Sequence, residues 1–144
     1  MKLNSVLTFL FIVLLTACKG GAYDLSAYGL KPDTGENASP LIAKALQEIA
    51  AESSSDTIRI LLPTGRYDFY PSGSTEREYF ISNHDQDNPK QVGLAFENMK
   101  NVVFDGQGSE LVFHGRMLPV SLVNSENCTL KNFSIDFENP HISQ

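Results

Sequence analysis

The sequence predicts an all-β solenoid, a stack of strand-built coils, with one helix capping its start. Three observations lead there. GLAFENMKNVVFDGQGSELVF and SLVNSENCTLKNFSIDF align without a gap when Asn101 is set against Asn127, an offset of 26 residues. Each copy alternates apolar and polar residues, breaks at a turn signal (Asp105-Gly106, then Lys131-Asn132) and restarts as a strand. Ahead of both copies, an apolar stripe at helical spacing runs between Ser39 and Ala51. An internal period in the twenties with several strands per period marks a fold in which each repeat stacks on its neighbours. Two unrelated hairpins of a small sandwich also supply strands and turn signals. The solenoid is preferred because the alignment holds across strand, turn and strand.

In the gapless register Val102 meets Cys128, Phe104 meets Leu130, Gly106 meets Asn132 and Leu111 meets Phe137. Alternation then sends Phe133, Ile135 and Phe137 inward and Ser134, Asp136 and Glu138 outward. Stacked coils build a long polar surface from residues far apart in sequence, a geometry suited to an extended glycan.

The chain begins with an address. Met1 and Lys2 precede an apolar run, Val6 to Leu15, of signal-peptide length. It is shorter than the ~20 residues that span a bilayer. Leu15-Thr16-Ala17-Cys18 follows and resembles the lipobox of bacterial lipoproteins. That resemblance implies a signal peptide over residues 1–17, lipid on Cys18, a short tether over 18–22 and a domain over 23–144, on a protein anchored to the membrane of a bacterial cell envelope. Several acyl chains on one residue anchor stably where one chain holds only marginally. With Cys18 lipidated, Cys128 has no disulfide partner and is expected as a buried structural thiol.

From the tether, Tyr23 to Gly29 reads as a first strand and Lys31 to Ala38 as a turn-rich loop. Ser39 followed by Pro40 suits a helix start, with Ser as N-cap and Pro at the first helical position. Leu41, Ile42, Ala45, Leu46, Ile49 and Ala50 share one face, and the helix should fade at Glu52. Such a helix covers the apolar end of a first coil, as solenoids require. Thr57 to Leu62 is the next strand and Pro63 to Tyr67 its turn. Pro71 to Lys90 is a polar excursion containing His84 beside Asp85.

Composition narrows the partners. The 144 residues leave room for one domain, and 42% apolar content is ordinary for a globular chain. A net charge of −6 without a basic cluster argues against nucleic acid and fits a neutral sugar better than an anionic polymer. His84, His114 and His141 are scattered and show no metal-ligand spacing, so no metal and no cofactor is expected.

The helix, the Ile58-x-Ile60 strand and Pro63-x-Gly65-x-Tyr67 resemble the start of the pectate-lyase-like right-handed parallel β-helix superfamily. Further on, Ile81-Ser82-Asn83-His84-Asp85, Phe113-His114-Gly115-Arg116-Met117-Leu118-Pro119 and Asp136-Phe137-Glu138-Asn139-Pro140-His141 resemble the N-terminal coils of glycoside hydrolase family 110. The resemblance implies exo-acting α-1,3-galactosidases that remove terminal galactose from blood-group-B-like or linear glycans with inversion, without a metal. Members of that family run several times longer, so the chain is expected to be an N-terminal portion, inactive alone, with catalytic carboxylates beyond residue 144.

Asp136 and Glu138 sit i, i+2 on one strand, about 6.6–6.8 Å apart by strand rise. Inverting glycosidases hold their carboxyls roughly 6.5–9.5 Å apart on opposite sides of the scissile bond. Parallel projection from one strand cannot flank a bond, so Arg116, Asp136, Glu138 and His141 are candidates for the edge of a substrate groove. Two alternatives stand beside the galactosidase: a non-catalytic glycan-binding β-helix or truncated relic, and a polysaccharide lyase on the same fold. The lyase would need clustered acidic calcium ligands and a basic residue, neither of which this segment displays.

Overall fold

The computed structural model describes residues 21–52, 56–80 and 88–139. The apolar leader, Cys18, the His84–Asp85 pair and His141 lie outside the described residues. In chain order the elements are β1 (Ala22–Asp24), α1 (Ser39–Ala51), β2 (Ile58–Leu61), β3 (Arg66–Phe69), β4 (Thr75–Arg77), β5 (Lys90–Glu97), β6 (Val102–Phe113), β7 (Leu118–Val123) and β8 (Thr129–Phe137).

Almost all strand pairing is parallel. The first half of β6 lies beside β2 (Ile60 opposite Phe104), and its second half lies beside β3 (Tyr67 opposite Leu111). β8 repeats this on the other edge of β6, with Phe104 opposite Leu130 and Phe113 opposite Phe137. In the second sheet β7 runs parallel to β5, Leu94 opposite Val120, while β4 pairs antiparallel along the other edge of β5. The chain therefore passes the same three places twice, as β5 and β6, then as β7 and β8. We call these the middle pass and the last pass; β2 and β3 belong to the first.

The gapless register of the repeat needs correction. It holds up to Asp105, which faces Lys131, but Leu111 faces Ile135 and not Phe137. The middle pass spends two more residues at the corner. Gln107 (φ 51°) and Gly108 (φ 85°) turn there, where Asn132 (φ 58°) suffices in the last pass. Asparagine tolerates the left-handed region better than most residues, and the corners of both passes use it. Asn127 donates to the Asn101 side chain at 2.7 Å, and Asn132 to the Asp105 carboxylate at 2.8 Å. The second corner also needs Gly106, because a Cβ there would stand 2.6 Å from the Phe133 Cβ.

Two further local expectations change. Only Ala22–Asp24 of the first stretch is strand. Asp24 accepts from the Ser26 amide at 2.8 Å and starts a 3-10 turn over Leu25–Tyr28, which Gly29 closes in the left-handed region. The helix bounds are as expected, but Ser39 is not the N-cap. Its hydroxyl donates to the Tyr70 carbonyl at 2.7 Å, and the Asn37 carboxamide accepts from the Ser39 amide at 3.0 Å.

One hydrophobic core runs through the stack. Phe69 and Phe113 stack at 4.8 Å between centroids, and Phe137 lies 5.8 Å from Phe113 in the next pass. Phe96, Phe104 and Phe133 form a second column of edge contacts at 5.7 and 5.6 Å. α1 adds Ile42, Ala45, Leu46 and Ile49 to this core, each large side chain contributing about 1.5–3 kcal/mol by burial. Cys128 is only partly buried at the margin of that core, so it is a packing thiol rather than a fully buried one.

Candidate functional site

The backbone ladder continues one residue beyond the strand ends. The His114 amide donates to the Phe69 carbonyl at 2.8 Å, and the Glu138 amide to the Phe113 carbonyl at 3.1 Å. Tyr70, His114 and Glu138 are thereby aligned, each one residue past the ring that its pass sends inward. Beside them on the outer side of β3 stand Arg66 and Asp68.

These side chains form one connected cluster. The His114 ring lies flat on Tyr70, 4.1 Å between centroids and 7° between planes. Its Nε2 is 2.7 Å from Asp68 Oδ1, and its Nδ1 is 2.8 Å from Glu138 Oε2. The Arg66 guanidinium donates to Asp68, with Nη2 at 2.8 Å from Oδ1 and Nε at 3.3 Å from each oxygen. The side chains of Asp68 and His114 are 6% and 9% exposed, whereas Glu138 is 57% exposed.

The titration directions follow from these contacts. Arg66 and His114 hold the Asp68 carboxyl below its ordinary value, Arg66 more strongly, against the opposing effect of burial. Burial alone would depress the His114 imidazole, but hydrogen bonds and charge from Asp68 and Glu138 outweigh it and leave its pKa raised. Chemically, the cluster can hold a proton at a fixed place and present the Glu138 carboxylate to solvent.

Of the sequence candidates, Asp136 is exposed on β8 opposite Val112, and its carboxylate accepts from the Phe137 amide at 2.8 Å. Arg116 is exposed in the turn between β6 and β7. Glu138 is the described candidate whose side chain is seen to join the cluster. Asp68, His114 and Tyr70 escaped sequence reading as site residues, because Asp68 and His114 are 46 residues apart and belong to different passes. The pairing offset between β6 and β8 would have found the Glu138 partner. Tyr67 is packed, with its hydroxyl donating to the Pro63 carbonyl at 2.7 Å. Burial pushes that phenol to about 12.

A second polar cluster lies on the other sheet. Arg77 grips Glu97 with two bonds of 2.8 Å, and Tyr79 donates to the same carboxylate at 2.9 Å. It borders an open groove of about 800 Å³ between α1 and the β4–β5 edge, lined also by Lys44, Gln47 and Glu76. Among the described residues no group of three or more His, Cys, Asp or Glu is arranged to hold a metal ion.

No protein-family model matches the chain. Curated proteins do. The whole chain aligns at 57% identity, over 146 positions, with a protein named alpha-1,3-galactosidase B from Phocaeicola vulgatus, covering 25% of it. Another of that name from Parabacteroides distasonis is 60% identical over 140 positions, 92% of this chain and 23% of the relative. A protein named alpha-1,3-galactosidase A from Shewanella woodyi is 40% identical over 116 positions, 81% of this chain and 18% of the relative. The chain is thus a relative of glycoside hydrolases. Among them it belongs with the alpha-1,3-galactosidases, and it spans a quarter or less of the length of these relatives.

Proposed function

We propose that the chain is part of an exo-acting α-1,3-galactosidase, a lipid-anchored protein of the bacterial cell envelope that hydrolyses terminal α-1,3-linked galactose with inversion. Blood-group-B-like or linear α-1,3-galactosides are the substrates, and the catalytic carboxylates lie beyond residue 144. The observation that carries this reading is the 57% identity to alpha-1,3-galactosidase B across the entire chain.

The architecture we propose is a right-handed parallel β-helix capped by α1, with residues 23–144 supplying its first coils. Its support is the repeated parallel pairing of β5 with β7 and of β6 with β8, together with the asparagine corners. In this reading Arg116, Asp136, Glu138 and His141 edge the groove, their polar groups meeting sugar hydroxyls. Cys18 carries the lipid, and the net charge of −6 suits an uncharged glycan.

The test uses the complete protein that carries this chain. It should release free galactose from glycans ending in α-1,3-galactose and leave α-1,4-linked galactose in place. Proton NMR in the first minutes should display β-galactose, the inverted anomer. Failure to release galactose from either a branched or a linear α-1,3-galactoside would overturn the reading, and release of the α-anomer would overturn inversion.

A further inference from the structure

We propose that Asp68, His114 and Glu138 form a protonation-controlled clamp on the last pass, closed when the imidazole is charged and opened at Glu138 when it is neutral. The three residues come from three successive passes and meet at one ring. Both ring nitrogens face carboxylate oxygens, at 2.7 and 2.8 Å. An imidazolium has an N–H for each, whereas a neutral imidazole has one N–H and one lone pair. Losing the proton therefore sets a nitrogen lone pair against a carboxylate, and one contact must open.

The surroundings decide which one. Asp68 is nearly buried and also receives the Arg66 guanidinium, so leaving His114 would not take it into water. Among the described residues the Glu138 side chain bonds only to His114, so no second cation holds it in place. The released contact is Glu138. Its loss leaves the end of β8 tied to the stack there by the Glu138 amide bond to the Phe113 carbonyl.

The other groups around the ring do not reverse this choice. From β3, Arg66 acts on the imidazole through Asp68, and Tyr70 offers its ring face at 4.1 Å, which favours a cation over it. From β6, Glu110 adds its charge beside Arg66, and from β8, Asp136 lies two positions before Glu138 on the exposed side. The carboxylates favour the charged ring, in keeping with its raised pKa. The clamp's contribution is complete below the ordinary histidine value of 6.5 and is lost as pH rises through the higher folded value. At the acid end Asp68, held below 3.8, keeps its half closed until pH falls through that lowered value.

Hydrogen–deuterium exchange at the histidine C2 position, read by mass spectrometry on the complete protein, reports the pKa of His114 individually. The clamp predicts a value above 6.5 in the wild type and a lower one in Glu138→Gln, a near-isosteric substitution outside the hydrophobic core. Backbone protection over residues 137–139, corrected for intrinsic exchange, should drop about tenfold as pH rises through the wild-type value, the loss expected for one charge-assisted hydrogen bond. In Glu138→Gln that step should vanish. A His114 value at or below 6.5, the same value in both proteins, or protection that ignores pH would each overturn the proposal.

Discussion

The middle and last passes carry the same inward pattern but bury it to different degrees. Leu111 is fully buried, and Ile135, opposite it in register, is 43% exposed. Phe96 is fully buried, and Leu122, opposite it, is 50% exposed. Phe113 is fully buried, and Phe137 only partly. Side-chain chemistry does not explain the contrast. β5 and β6 have strands on both edges, whereas among the described residues β7 and β8 are paired on one edge each. Burial here follows the pairing of strand edges, and is conferred by the neighbouring strand as much as by the residue itself.

The largest test of this contrast is a matched truncation. Phe113→Ala should destabilise by about 3–5 kcal/mol, the cost of emptying a closed aromatic site, measured by urea unfolding. Phe137→Ala should cost clearly less, because water already reaches its site. Equal losses would mean that the last pass is packed as tightly as the middle one. Gly106→Ala should come next, at about 1–3 kcal/mol, since the new methyl would stand 2.6 Å from the Phe133 Cβ and 2.8 Å from the Asn132 carbonyl. Its effect should appear first as lost amide protection in β8. The smallest is Asn127→Gly, which keeps the left-handed corner and removes the bond to Asn101; about 1 kcal/mol is expected, again by urea unfolding.

What the sequence made legible follows the same division. The helix from Ser39 to Ala51 was readable because its stripe is local and continuous. The pairing of Phe104 with Leu130 was readable because both copies share the strand before the corner. The slip beyond it was hidden, because Gln107-Gly108 fills a corner that Asn132 turns alone, and an ungapped alignment cannot see a change in turn length. Ser39 as N-cap failed because Tyr70, 31 residues away, claims its hydroxyl.

The site divides likewise. Glu138 was legible as an outward polar residue by alternation. His114 looked isolated, since its partners Asp68 and Glu138 are 46 and 24 residues distant. Only the corrected register, in which Phe69, Phe113 and Phe137 share a column, sets the residues just after them side by side. Local patterns found the elements, while the site is a product of how passes are laid on one another.

That register is open to direct measurement. With Cys18 and Cys128 replaced by serine, the pair Glu110→Cys and Ser134→Cys places thiols on directly opposed, exposed positions of β6 and β8. Opposed strand neighbours lie about 4.8 Å apart, within disulfide reach, whereas a residue two positions farther along lies about 8 Å away and out of reach. Mild oxidation should therefore cross-link 110 to 134 readily and leave 110 with a cysteine at 136 unlinked. The reverse outcome would restore the gapless register, and with it dissolve the alignment that brings Asp68, His114 and Glu138 together.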